Sequence, residues 1–494
     1  MIYSIKLRMI ILVFALLTQG VLTAQSNSVS IIDNYNDWGW ENVHVAKNKF
    51  ISVAVVPDAA GRILEYNLGD ITSLWINPKF FGKSFEPNDD VKKEDWRNFG
   101  GYRLVPIPVD DCAINSNGKK TRRWPPPAII GDSPYNVNIS TNSDGNQTIN
   151  VISRVQNLPV PVYDYKSKSF SDAQKIDEQL KYERNLHIEE GKSLVFIKHT
   201  LQNKGLNTIE RGLKITSQHP SRSNPDLEDG ENFLAYLPFD ENLKLPNGEQ
   251  FEITTTSQAR WNFINKRRFP IDKKNPEHLK KYFNIGTNWK GKVAPGIFEL
   301  HYDYNLMAGF HMIASKSWIC FVNKLDQTAF VKIFEPYNKE LNYEYGVNAE
   351  IYNSGLETGY LETEIKTPIY TLKANEHFDY YEIQGAAKIN SLPILDVNQT
   401  GIITKNMNFN NKTNSISGEY GVFVEGEAIL NLKNSSGDTI KDVKVDKVDP
   451  LHPFVFKMDI EIDSSIETVE LYVKDNTGKT YQLDNCNLNN FKCH

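Results

Sequence analysis

Cysteine is scarce: four in 494 residues, too few and too scattered for a disulfide framework and without zinc-site spacing. Cys112 and Cys320 read as small buried apolar side chains, whereas Cys486 and Cys493 lie close enough in sequence to pair in an oxidising compartment. Charge of one sign is lacking too. Lys and Arg number 55 against 61 Asp and Glu, a formal net charge of −6. With the signs mixed along the chain, the basic footprint of a nucleic-acid binder is absent. Helical periodicity is almost missing, and residues 276–283 supply its best stretch, one or two turns. Beyond the first residues no apolar run is long enough to cross a bilayer. There is no P-loop, no Gly-x-Ser-x-Gly elbow, no His-Glu-x-x-His and no EF-hand loop. Motif grounds for phosphoryl transfer, serine hydrolysis and zinc proteolysis are therefore lacking. No carboxylate spacing singles out a metal site, and no cofactor is expected.

What is present begins with an export signal. Lys6 and Arg8 form a positive start, residues 9–17 an apolar core too short to span, and residues 21–25 a cleavage region. Residues 1–24 are expected to be a signal peptide, leaving no stable membrane span after cleavage. No Cys follows the apolar core, so a lipid anchor is not expected.

Apolar alternation of period two recurs from there on. Residues 50–56, 148–155, 193–201 and 210–216 read as strands, and 318–322 with 329–335 as a hairpin around Lys324-Leu325-Asp326-Gln327. Phe (25), Tyr (23) and Trp (8) are plentiful, as strands prefer. The expected class is all-β, an antiparallel sandwich or barrel. A boundary is expected near residue 390: a main domain over 25–390, an Asn-rich linker over 391–417, and a small β-sandwich over 418–494.

Several residues carry candidate chemistry. Glu362 and Glu364, two apart in a strand, share a face, and burying two carboxylates there demands partners or a ligand. Arg62 follows the turn Pro57-Asp58-Ala59-Ala60-Gly61, and Arg103 follows Gly100-Gly101, where a glycine pair lets backbone approach a ligand. Trp124 sits in the stiff Arg122-Arg123-Trp124-Pro125-Pro126-Pro127 segment and could stack on a sugar ring. His219 ends a strand at Pro220, a rigid place for a general acid or base. His187, His199, His301 and His311 rank below it, each inside an alternating pattern with no visible partner.

Taken in order, several segments carry a resemblance. They are Trp38-Gly39-Trp40-Glu41-Asn42, residues 55–66 (VVPDAAGRILEY), 76–78 (INP), 99–108 (FGGYRLVPIP), 123–127 (RWPPP), 183–203, 215–220 (ITSQHP) and 349–376. Together they resemble the galactose mutarotase-like (aldose 1-epimerase-like) superfamily, and more closely a bacterial domain-of-unknown-function family with that fold, over about residues 36–388. The resemblance implies a β-supersandwich with a carbohydrate cleft, followed here by the small C-terminal sandwich, in a bacterial secreted or periplasmic protein. It implies a carbohydrate ligand and, for an enzyme, a His acid and a Glu base: His219 with Glu362 or Glu364. Arg62, Arg103 and Trp124 would bind substrate. Mutarotases carry Asn-His-Ser/Thr-Tyr-Phe-Asn around the acid, whereas Gln218-His219-Pro220-Ser221-Arg222-Ser223 stands here. Two other readings remain at this point. One is a non-catalytic module of a cell-surface glycan assembly, suggested by the C-terminal sandwich. The other is a polysaccharide lyase-related protein, suggested by Arg122 and Arg123 facing an acidic sugar.

Overall fold

The computed structural model describes residues 28–143, 145–171, 177–223, 230–254, 274–276, 291–302, 308–355 and 358–488. The expected signal peptide, most of the 276–283 segment and Cys493 lie outside these residues. The β-branched and aromatic alternation folds as it reads. Among the described residues the regular structure is almost all strand, with short 3-10 turns and one five-residue α-helix, Ala128–Asp132. None of the helices described is long and apolar enough to cross a membrane.

Two large antiparallel sheets dominate. Along its main path the first runs Ser28–Ile32, Val43–Lys47, Ile51–Val56, Arg62–Leu68, Tyr102–Ile107, Ile209–Pro220, Tyr360–Lys366, Ala349–Asn353, Ala308–Met312 and Phe251–Thr254. The second runs Gly291–Ala294, Ile297–His301, Phe233–Pro238, Trp318–Asn323, Thr328–Phe334, His377–Lys388, Leu194–Asn203, Glu178–Ile188, Gln147–Ile152 and Asn136–Thr141. The hairpin read from 318–335 is there, with Trp318 opposite Ile333. Inward side chains of both sheets, such as Leu213, Ile215, Leu361 and Ile365 from the first and Phe321, Phe330 and Ile197 from the second, merge into one core. This is the all-β supersandwich of the expected class.

The C-terminal strands form two further four-stranded sheets around a core of their own. Here one expectation is corrected. The stretch 391–417 is not a linker: Gly401–Asn410 pairs with Ser415–Val422, and Asp396–Val397 pairs with the former. Its Asn residues face outward between inward Ile402, Ile403, Met407 and Ile416, so polar composition hid a strand pattern. Cys112, Cys320 and Cys486 are free thiols, all buried.

The C-terminal module covers the outer face of the second sheet. Ile394, Val397, Ile402 and Phe423 join Leu234, Tyr236, Trp318, Cys320 and Val331 in a shared apolar cluster. Backbone bonds fasten the seam: Ser193 N–H donates to Phe423 O at 2.9 Å and Glu425 N–H to Gly191 O at 2.8 Å. The outer face of the first sheet is left to carry the site.

Candidate active site on the outer face of the first sheet

Strand parity decides which side chains meet. Gln218 lies opposite Glu362 and Thr216 opposite Glu364 in the ladder. Glu364 in turn lies opposite Glu350, and Glu350 opposite His311. Arg103 is opposite Thr216, and Val105 opposite Lys214. Side chains in register share a face. One outward row therefore holds Arg103, Lys214, Thr216, Gln218, Glu362, Glu364, Lys366, Glu350 and His311.

His219 belongs to the other face. Its ring stacks on Phe321 of the second sheet at 4.4 Å and 9°. Nδ1 lies 2.7 Å from Ser73 O and Nε2 2.8 Å from Thr363 Oγ1. It is fully buried, and burial lowers its pKa from 6.5 to about 3. His219 and Glu362 thus look into opposite sides of the sheet, and the pairing expected from the resemblance does not form. The signal was in the sequence. His219 shares parity with Leu213 and Ile215, so the same alternation that made the strand placed the imidazole inward.

The other expected residues divide. Arg62 is a structural group: fully buried, it donates to Asp132 Oδ1 at 3.0 Å and to the Gly131 and Gly100 carbonyls at 2.8 and 3.1 Å. Gly100 and Gly101 do not approach a ligand. Both have positive φ, and a Cβ at either would lie 2.4 Å from a backbone oxygen, of Trp75 or of Ile63. They let the loop cross the strand carrying Arg62. Arg103 and Trp124, by contrast, reach the same neighbourhood as Glu362. The Arg103 guanidinium lies 5.5 Å from the Trp124 ring centre and 3.8 Å from Glu362 Oε1. Glu362 also accepts from Gln218 Nε2 at 2.7 Å.

A cavity of about 220 Å³ opens on this face, lined by Val109, Arg122, Lys214, Glu252, His311, Glu344, Tyr345, Glu350 and Lys366. That equals the liquid volume of about seven waters, so it takes a small polar group or part of a sugar ring. Neither Glu362 nor Glu364 reaches its wall. Glu350 does, and it is the hub. His311 Nε2 is 3.3 Å from its Oε1, and Lys366 and Lys214 lie 3.4 and 3.8 Å from its Oε2. Lys214 also meets Glu364 at 2.9 Å. An imidazole–carboxylate pair of the type implied by the resemblance does exist, but it is His311 with Glu350, both of which sequence reading passed over. His311 had no visible partner because Glu350 is far away in sequence. Only the neighbouring of strands 308–312 and 349–353 brings the two together.

The electrostatics push the two central carboxyls apart. Burial raises Glu364, and the charge of Glu350 beside it raises it further, so it stays protonated well above the ordinary 4.5. Burial would raise Glu350 as well, yet Lys214, His311 and Lys366 more than offset this and hold it below the ordinary range. Burial lowers His311 to about 4, against the pull of Glu350, so the imidazole is neutral at pH 7. Two neighbouring carboxyls sharing one proton are the arrangement from which acid and base roles are assigned. Tyr345 closes the rim. Its ring lies 4.9 Å from Lys366 Nζ and 5.9 Å from the His311 ring, and it is held at φ 58. A non-glycine residue in that region costs on the order of 1–3 kcal/mol and is held by its surroundings.

The raised pKa of Glu364 sets a pH signature. A group raised above its unfolded value favours the fold fully below that value, and this contribution is lost as pH rises through the folded value. Glu364→Gln, which cannot ionise, is therefore expected to lift the melting temperature at alkaline pH while leaving it nearly unchanged below pH 4.5. Thermal melts of both proteins from pH 4 to pH 10 check this; parallel curves across the range would contradict it.

No family model and no curated protein matches the chain. Solved structures do. A galactose mutarotase-like protein from Clostridium acetobutylicum aligns at 15% identity over 73% of this chain and 98% of its own, with a TM-score of 0.40. A galactose mutarotase-like protein from Lactobacillus casei aligns at 9% identity over 70% and 99%, also at 0.40. The Slr1438 protein from Synechocystis sp. PCC 6803 aligns at 10% identity over 70% and 95%, again at 0.40. Likeness at this level transfers no residue role, so roles here rest on the geometry of this chain.

Proposed function

We propose that the chain is a secreted carbohydrate-binding protein whose ligand sits over the Glu350 cavity. The enzyme reading is aldose-epimerase-like acid–base chemistry run from Glu350. The observation that carries this is the ion-paired group of Glu350 with His311, Lys214 and Lys366 at the wall of an open cavity, with Glu364 behind it on Lys214. Sugars offer hydroxyls that both donate and accept. The cavity answers with an acceptor (Glu350), ammonium donors (Lys214, Lys366) and an imidazole that does either. Trp124 supplies an exposed aromatic face beside it, 38% exposed.

In the enzyme reading Glu350, ionised and cavity-facing, takes the proton of an anomeric hydroxyl. The hemiacetal C–O bond to the ring oxygen breaks, the carbonyl forms, and the ring oxygen takes a proton from solvent water at the open side of the cavity; rotation about the C1–C2 bond and the same transfers in reverse close the ring as the other anomer and return the proton held by Glu350. Lys214 and Lys366 stabilise the charge developing on oxygen, as fixed cations in a low-dielectric site do. Glu364 stands behind Glu350 as a proton reserve, and His311 orients the carboxylate. His219, facing the other side of the sheet, has no part in this scheme.

Isothermal titration against a monosaccharide and oligosaccharide panel tests the binding reading. Glu350→Gln is expected to weaken any sugar bound by roughly tenfold or more, the worth of one charge-assisted hydrogen bond. NMR of anomer interconversion tests the chemistry: Glu350→Gln is expected to bring the rate to background. A panel without a single binder would end the carbohydrate reading; full interconversion by Glu350→Gln would remove Glu350 from the mechanism.

A further inference from the structure

The Glu350 cavity does not end at Lys214. A second, shallower hollow of about 20 Å³ adjoins it, walled by Trp124, Pro126 and Pro127. The two share Val109, Arg122 and Lys214. Lys214 sets the step between them: its Nζ is 3.8 Å from Glu350 Oε2, and the residue lines the second hollow as well. One lysine side chain therefore separates Glu350 from the Trp124 side, close to the step from one ring of a glycan to the next.

The segment that forms the far wall presents two side chains. Exposure alternates along it: Arg122 and Trp124 face out, and Arg123 between them is half-buried. Arg123 is the anchor, with Nε donating to Pro125 O at 3.0 Å and Nη1 to Asp89 O at 2.8 Å. Trp124 is braced, its ring 4.7 Å from that of Trp96 and 5.5 Å from the Arg103 guanidinium, yet it stays exposed. The charge of Arg122 acts on His311 and Tyr345 at the first cavity. The guanidinium groups of Arg62, Arg123 and Arg211 are engaged by carbonyls or carboxylates. Among the described residues that of Arg122 has no hydrogen bond or ion pair.

Size argues in the same direction. The first cavity, about 220 Å³, falls short of the roughly 300–1,000 Å³ that encloses a small ligand. The second hollow is too small to enclose a ring, so a sugar there lies on the indole, its C–H face against the π face, rather than inside. A ligand confined to the cavity leaves Trp124 and Arg122 uncovered; one that continues past Lys214 covers both. Arg122, a donor-only guanidinium fork, then reaches hydroxyl oxygens of either ring.

We propose that the two hollows form one groove and that the ligand of this face is an oligosaccharide of at least two rings, one over Glu350 and its neighbour stacked on Trp124, with Arg122 bridging them. This rests on the carbohydrate reading and adds the length and direction of the ligand. In the enzyme reading the ring over Glu350 is the reducing one, because only that ring has a free anomeric hydroxyl.

Calorimetric titration of the full chain decides the matter. The probes are D-glucose with cellobiose and maltose, D-galactose with galactobiose, D-mannose with mannobiose, and D-xylose with xylobiose. In at least one series the disaccharide is expected to bind roughly tenfold or more tightly than its monosaccharide. Trp124→Ala is expected to bring that ratio to near one, and Arg122→Ala to lower it severalfold. Arg122→Ala changes an exposed side chain and decides alone if Trp124→Ala fails to fold by circular dichroism. Equal affinity for monosaccharide and disaccharide in every series would overturn the groove and leave the carbohydrate reading standing, as would a ratio untouched by the variants. Binding of none of the sugars would overturn both.

Discussion

Glu382→Ala is expected to remove about 3–5 kcal/mol of folding stability, the usual loss when one partner of a buried ion pair is deleted. Glu382 lies fully buried between the two large sheets, in a polar knot that sequence reading did not anticipate. Its Oε2 accepts from the Tyr102 hydroxyl and lies 3.2 Å from His199 Nε2. Its Oε1 is 3.7 Å from Lys332 Nζ and 3.2 Å from Gln384 Nε2. Lys332 Nζ reaches across to the first sheet and donates to Ile215 O at 3.0 Å and Thr363 O at 3.3 Å. Tyr182 Oη closes the knot on His199 Nδ1 at 2.6 Å. Without the carboxylate, the buried Lys332 ammonium loses its counter-charge. The double change Glu382→Met with Lys332→Met is expected to cost less than Glu382→Ala alone, because it leaves no uncompensated charge. Urea unfolding of the three proteins measures this. A Glu382→Ala loss under about 1 kcal/mol, a typical single substitution, would show that the knot is not a clamp.

The same knot gives the fold its acid limit. Burial would raise Glu382, but Lys332 and His199 hold it at about 2, below the ordinary 4.5. Its contribution is therefore present above pH 4.5 and lost as pH falls through 2. His219, lowered by burial from 6.5 to about 3, acts with the same sign. The fold rejects its proton, so stability falls as pH drops below 6.5 and continues to fall to about 3. The Glu364 contribution runs the opposite way, declining as pH rises.

Cutting the chain after residue 390 is expected to turn the remaining supersandwich into an insoluble or self-associating protein. The cut would uncover Leu234, Tyr236, Trp318, Cys320, Val322 and Val331, each at most 2% exposed in the intact chain. A contiguous apolar face of that kind drives aggregation. Phe423 is seated closely: a Cβ on Gly385 would lie 3.3 Å from its ring. The C-terminal sandwich is thus a fitted cover for the back of the main module, on the side away from the Glu350 cavity. Size-exclusion chromatography of residues 25–390 checks this, and a monodisperse, folded monomer would contradict it. The outcome also bears on the reading of the chain as a surface-assembly module. A cover that cannot be removed without collapse is not a detachable adaptor.

Strand content was legible because strands announce themselves locally, through period-two alternation and through turns such as Asn323–Asp326, where Asn323 Nδ2 donates to Asp326 Oδ2 at 2.7 Å. The Asn-rich 391–417 segment was misread because its outward positions are polar enough to mask inward Ile402, Met407 and Ile416. Arg103 and Trp124 lie near Glu362 on the outer face of the first sheet, whereas Glu362 and Glu364 stand back from the cavity wall. Glu350 and His311 were not found, since each looks ordinary within its own strand.

By itself, then, the amino-acid order determined which residues form strands and, through parity, which side chains share a face: Lys214, Thr216 and Gln218 on one side, Leu213, Ile215 and His219 on the other. Tertiary structure alone decided that strand 349–353 lies between 308–312 and 360–366, and so which carboxylate meets which cation. The physical reason is range. Alternation is a property of adjacent residues and is written in the chain, whereas the proton shared by Glu350 and Glu364 depends on groups distant in sequence, brought together as neighbouring strands pair and the sheet folds over its core.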